Sequence, residues 1–155
     1  MNEMSIEGEA RALDGEAVDM KHLLIPIDGS KRSIEAVKAI EAIFPPERVD
    51  VTLLTVREDV DSSSKGILDQ MVRETMPLLD KAAALIPRYT VNKAVEFGIP
   101  GSVILRYAKN HHMDIIIIAK RSNTALSILL GSVATHLVKY AHCPVIVLPE
   151  DNPEL

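Results

Sequence analysis

The stretch Gly131–Leu148, GSVATHLVKYAHCPVIVL, decides the fold. It opens as a helix led by glycine and serine, turns at His142-Cys143-Pro144, and ends on the apolar run Val145-Ile146-Val147-Leu148. A helix that starts this way presents free backbone N–H groups and a hydroxyl to an anion. Upstream, Ile115-Ile116-Ile117-Ile118 is apolar and β-branched, as a strand covered on both faces should be. The loop 120–130 separates the two. A strand, a loop and a helix N-terminus in that order suit a nucleotide phosphate.

Working outward, strand and helix signals alternate. His22 to Ile27 is an apolar run that ends in Asp28-Gly29-Ser30, where Ser30 is a good helix N-cap. The helix after it places Ile34, Val37, Ile40 and Phe44 on one stripe and stops at Pro45-Pro46. Val49 to Val56 is the second strand, and Glu58 to Ser64 is a polar loop. Leu68, Met71, Val72, Leu79, Ala82, Ala83 and Ile86 mark a longer helix, with a kink expected near Met76 because of Pro77. Tyr89 to Phe97 is the third strand, closed by Gly98. Pro100-Gly101-Ser102 opens a short helix bearing Val103, Ile104, Tyr107 and Ala108. Asp114 to Ala119 is the fourth strand, Ser132 to Tyr140 the last helix, and Val145 to Leu148 the fifth strand.

Five strands alternating with four helices imply an α/β domain: one parallel sheet with helices on both faces. In such sheets ligands bind beyond the strand C-terminal ends, where the strand order reverses. If the order is 3-2-1-4-5, Asp28-Gly29-Ser30 and Ala119-Lys120-Arg121 flank that crevice.

Composition narrows the partners. The chain has 155 residues, 47% of them apolar, and a formal charge of −5. Its length suits a single domain. Residues 1–20 carry Glu3, Glu7, Glu9, Asp14, Glu16 and Asp19 against Arg11 alone, so they hold the whole net charge and the remainder is neutral. A neutral body has no basic surplus for DNA or an anionic membrane. Aromatic residues are 3% of the chain with no Trp, which leaves few stacking platforms for single-stranded nucleic acid. Residues 1–20 read as an acidic extension, solvated or lightly docked, with a helical tendency over Glu9-Ala10-Arg11-Ala12-Leu13. Cys143 is the only cysteine, so no intramolecular disulfide can form; it reads as a small buried hydrophobe in a reducing cytoplasm. No signal-peptide pattern and no membrane-length apolar run is present, and a cytoplasmic location is expected.

These pieces resemble the universal stress protein family over residues 21–149, leaving 150–155 as a short tail. The matching segments are Leu24-Ile25-Pro26-Ile27-Asp28-Gly29-Ser30, Leu53-Leu54-Thr55-Val56, Gly98-Ile99-Pro100, Asp114 to Ala119, Leu129-Leu130-Gly131-Ser132-Val133 and His142-Cys143-Pro144-Val145. The resemblance implies a three-layer, flavodoxin-like α/β domain of the adenine nucleotide alpha hydrolase-like kind, with strand order 3-2-1-4-5. It also implies a homodimer joined by antiparallel pairing of the last strands, here Val145, Ile146, Val147 and Leu148. A bare apolar edge strand is an aggregation hazard, so covering it makes physical sense.

Many members bind ATP through a loop of form G, two residues, G, nine residues, G-S/T. Here the first glycine position is Ala119 and the second is Ser122, and the loop is one residue shorter before the intact Gly131-Ser132. Carried over by position, Asp28 and Val56 lie near the base, with Pro26 shaping the wall. Ala119, Gly131, Ser132 and Val133 serve the ribose and phosphates. Lys120 and Arg121 put two cations in the loop, either facing phosphates or simply solvated. Asp28 reads equally as a ligand acceptor and as a cap on the turn into the first helix.

The histidines His22, His111, His112, His136 and His142 show no metal-triad spacing, and His136 and Tyr140 share a helix face expected to be exposed. No catalytic motif is present, so ATP turnover is expected to be slow or absent. The leading expectation is a homodimeric binding or sensing module of the stress response, with an adenine nucleotide (ATP or AMP) as ligand and no metal of its own. Its rival is an interaction protein without nucleotide, working on an unknown protein partner through its dimer surface and acidic tail. A low phosphatase or hydrolase activity would need a general base near Ser132, and none is visible.

Overall fold

The computed structural model describes residues 10–13, 16–58, 64–120 and 131–149, with side chains from residue 19 onward. The elements run β1 (Ala10–Leu13), β2 (Glu16–Asp19), β3 (Lys21–Pro26), α1 (Lys31–Ala39), β4 (Val49–Arg57), α2 (Lys65–Ala83), β5 (Thr90–Phe97), α3 (Pro100–Asn110), β6 (Ile115–Ala119), α4 (Ser132–Tyr140) and β7 (Val145–Leu148). Short 3-10 turns follow α1 and precede β4.

The main sheet has five strands in the order β5-β4-β3-β6-β7, all parallel. This is the 3-2-1-4-5 order, with its reversal between β3 and β6. Side chains alternate across each strand, so neighbouring residues enter different cores. Leu23, Ile25, Leu53 and Ile117 pack with Val37 of α1 and Leu79 of α2. Leu24, Leu54, Ile116 and Ile118 pack with Ile104 of α3 and Leu137 of α4. The result is three layers: α1 and α2, the sheet, α3 and α4.

The helices follow local rules. Ser30 Oγ accepts from the Ser33 N–H at 3.2 Å and caps α1. Pro100 stands in the first turn of α3, where its missing N–H costs nothing. The α2 helix continues through Pro77, and the buried Thr75 hydroxyl donates to the Met71 carbonyl at 2.7 Å. Of the α1 stripe, Val37 and Ile40 are buried, and Ile34 and Phe44 pack at its margin.

One local expectation is overturned. Residues 10–13, read as helix-prone, form a strand paired antiparallel with 16–19, Ala10 opposite Asp19 and Leu13 opposite Glu16. The competing signal is Asp14-Gly15 between the two segments, a dipeptide that favours two-residue hairpin turns. Among the described residues, no helix is long and apolar enough to cross a membrane.

Leu23 and Leu24 are fully buried on opposite faces of the same strand. Leu23→Ala and Leu24→Ala should each destabilise the fold by about 2–5 kcal/mol. Urea unfolding checks this against the exposed control Lys81→Ala, which should change little.

Candidate functional site

The site is built where β3 stops. The Ile27 N–H donates to the Leu54 carbonyl at 2.8 Å, and the buried Thr55 hydroxyl donates to the Ile27 carbonyl at 2.9 Å. These bonds bring the end of β3 beside Val56 of β4. The chain then turns away through Gly29, whose φ of +88° favours glycine. Asp28 Oδ1 accepts from the Ser30 N–H at 2.9 Å, so the turn-capping role of Asp28 is realised as a hydrogen bond. The nearly buried Ser33 hydroxyl donates to the Ser30 carbonyl at 2.9 Å and accepts from the Asp28 N–H at 3.3 Å. This network sets the start of α1 against the strand end.

Across the switch point, β6 ends at Ala119. The residue has negative φ, since among described non-glycine residues only His112 lies in the positive region. Alanine is therefore unstrained there, although the family's loop has glycine. The Lys120 N–H donates to the Leu148 carbonyl at 2.9 Å and carries the chain past β7. On α4 the Thr135 N–H is the first to reach a helix-start carbonyl, Gly131, at 2.9 Å, and among the described residues no side chain caps this end. The N–H groups of Ser132, Val133 and Ala134 precede the helical ladder and have no backbone partner among the described residues, as suits a meeting with an anion.

A cleft of about 180 Å³ lies between these pieces. Pro26, Asp28, Val56, Ala119, Gly131, Ser132 and Val133, all named from the sequence, line it together. Lys120 does not line it; its carbonyl accepts from Arg32 Nη1 at 3.1 Å. Arg121 and Ser122 lie outside the described residues. The cleft also contains residues that sequence reasoning missed: Ser33, Arg32, Glu58 and Pro100. Glu58 comes directly after β4 and Arg32 lies in the first turn of the helix after β3, and strand ends are where such sheets bind ligands. That was the signal available for them.

The family model for the universal stress protein family matches residues 20–149. The chain belongs to the universal stress protein family. A universal stress protein of Methanocaldococcus jannaschii, MJ0531, is 31% identical over 144 residues, covering 86% of this chain and 85% of that one. Among solved structures, MJ0577 of the same organism has a TM-score of 0.71 at 26% identity, covering 85% of this chain and 97% of its own. A universal stress family protein of Arabidopsis thaliana, solved with AMP bound, has a TM-score of 0.61 at 18% identity, covering 86% and 94%.

Within this universal stress fold the cleft wall is completed by close packing of α3. Gly98 has φ +134°, and a Cβ there would meet Val103 Cγ2 at 2.9 Å. A Cβ on Gly101 would meet His136 Cδ2 at 2.7 Å. His136, expected to be exposed, is thus half-buried against α3, with its ring centroid 4.9 Å from that of Tyr140. The two helices approach closely because glycine leaves room for the ring. Among the described residues no group of three His, Cys, Asp or Glu could hold a metal ion.

Cys143 is half-buried. Burial pushes its thiol pKa up, and the Asp114 charge adds to this against a hydrogen bond from the Ile116 backbone.

Gly98→Ala should cost about 1–3 kcal/mol of stability, through strain at a left-handed position, read by urea unfolding. The raised thiol pKa means less thiolate at pH 8, so Cys143 should react with iodoacetamide more slowly in the folded protein than in urea. Mass spectrometry of the modified chain checks this; equal rates in both states would refute it.

Proposed function

We propose that this universal stress protein binds an adenine nucleotide, ATP or AMP, in the cleft between the ends of β3 and β6, and acts as a cytoplasmic binding or sensing module. The base lies against Pro26, Asp28 and Val56. The phosphates meet the free N–H groups at the start of α4, with Gly131, Ser132 and Val133 around them. Lys120 and Arg121 add positive charge on the loop side. The observation that carries this reading is that seven residues picked from separated stretches of sequence line one cleft. The AMP-bound Arabidopsis relative shares the fold and supports the choice of ligand. The role proposed is binding, with ATP turnover at most slow.

The protein works as a homodimer through Val145, Ile146, Val147 and Leu148. In support, β7 is an edge strand of the sheet and its four residues are only half-buried. Residues 21–149 form the universal stress domain, 1–20 an acidic extension and 150–155 a tail. A second reading, a dimeric interaction protein without nucleotide, draws on Ala119 and Ser122 at the family's glycine positions.

Small molecules released on denaturing the purified protein, identified by mass spectrometry, and calorimetric titration with ATP and AMP separate the two. A stoichiometric adenine nucleotide, or a micromolar dissociation constant, is the expected result. No ligand and no heat at millimolar nucleotide would overturn it in favour of the interaction protein.

A further inference from the structure

Glu58 lines the cleft directly after β4, whose last residue is Arg57. The strand is still paired at this end: the Gly98 N–H, just past β5, donates to the Arg57 carbonyl at 3.0 Å. Side chains therefore still alternate here. Arg57 turns to the α2 face, where its Nη1 donates to the Thr75 hydroxyl at 3.0 Å. Glu58 falls on the other side, with Leu54 and Val56, over the cleft. Asp28 and Arg32, the other charged side chains of the lining, are bonded to the Ser30 N–H and the Lys120 carbonyl. Glu58 is exposed and, among the described residues, makes no hydrogen bond or ion pair. Its carboxylate only accepts, so whatever it binds must bring a donor. The sheet order puts β3 between β4 and β6, and α4 follows β6. Glu58 therefore stands at the end of the cleft remote from the start of α4. A phosphate is drawn to that helix start and repelled by a carboxylate. Glu58 thus meets the opposite end of the ligand. With the base against Val56, two residues earlier on the same side, the donor within reach is the 6-amino group of adenine.

We infer that Glu58 reads the 6-amino group of the bound base and makes the cleft selective for adenine over purines that lack this donor. The carboxylate accepts one amino N–H in a charge-assisted hydrogen bond. A purine without the amino group forfeits that bond and leaves the carboxylate to water. Exposure keeps the effect modest, because water competes for the same oxygens. Glu58 is therefore a specificity residue, and the main affinity comes from the apolar wall and the helix start. The inference rests on the nucleotide reading above, and the test separates the two.

The test is calorimetric titration of the full chain, and of Glu58→Ala and Glu58→Gln, with AMP and with purine riboside 5′-monophosphate, which differs from AMP only in lacking the 6-amino group. The readout is the ratio of the two affinities. Removing a negative charge strengthens both phosphorylated ligands alike, so that effect cancels in the ratio. Wild type should favour AMP by about fivefold to tenfold, as one charged hydrogen bond exposed to water does. In Glu58→Ala the ratio should fall to about one. Glu58→Gln should lie between, because the amide oxygen still accepts but carries no charge. If Glu58→Ala fails to fold by circular dichroism, the Glu58→Gln ratio decides. A wild-type ratio near one, or a ratio that Glu58→Ala leaves unchanged, would overturn the inference while leaving nucleotide binding intact. Binding of neither ligand to the wild type would overturn the nucleotide reading and the inference with it.

Discussion

The structure depends on the burial of β3 between two parallel neighbours. Leu23, Leu24 and Ile25 are fully buried, and the strand pairs with β4 along its length and with β6 at Leu23 and Leu24. A strand covered on both faces and both edges has one free direction left, its C-terminal exit. There the chain must turn, and the turn is made by Asp28, Gly29 and Ser30. Everything that shapes the cleft is referenced to that exit: α1 through its cap, β4 through the Thr55–Ile27 bond, and β6 through the Arg32–Lys120 bond.

The cleft is a consequence of topology. Connections from β3 and β6 leave toward opposite faces, so their first helical turns separate and open a crevice between them. Parallel strands also bring every following helix to the same sheet edge with its N-terminus inward. The positive ends of α1 and α4 therefore face one space, while Asp28 and Glu58 hold the neighbouring wall. The cleft thus holds side chains of both charge signs over an apolar floor of Ile27, Leu54 and Ile118.

Tolerance of Ala119 has the same origin. The residue closes β6 in extended backbone with negative φ, so its methyl group adds no conformational strain. Gly98 and Gly101 are different, because side chains on α3 and α4 already occupy the space a Cβ would enter. Gly98 and Gly101 are held where helices crowd, Gly29 is held by its positive φ, and Ala119 stands where extended backbone asks for no glycine.

The alternation of strands and helices and the boundaries of the five sheet strands to within a residue or so were legible in the sequence, while the ends of the first two helices differ by three to five residues and the 3-2-1-4-5 order came from the family resemblance. The β-branched runs and proline stops report backbone conformation directly. Seven residues that line the cleft were named by carrying positions over from the family resemblance; of these, the Asp28 turn and the Gly131-Ser132 helix start are also marked by local features of the sequence. The hairpin of residues 10–13 and 16–19 was not, since weak helical propensity loses to pairing with a second segment. Nor was the seat of His136 against Gly101, or the reach of Arg32 to Lys120. The sequence by itself determined which residues form each layer, because periodicity is written within a single element. Only the tertiary structure decided which side chains share the cleft, because their approach depends on two helices entering from opposite faces of one sheet.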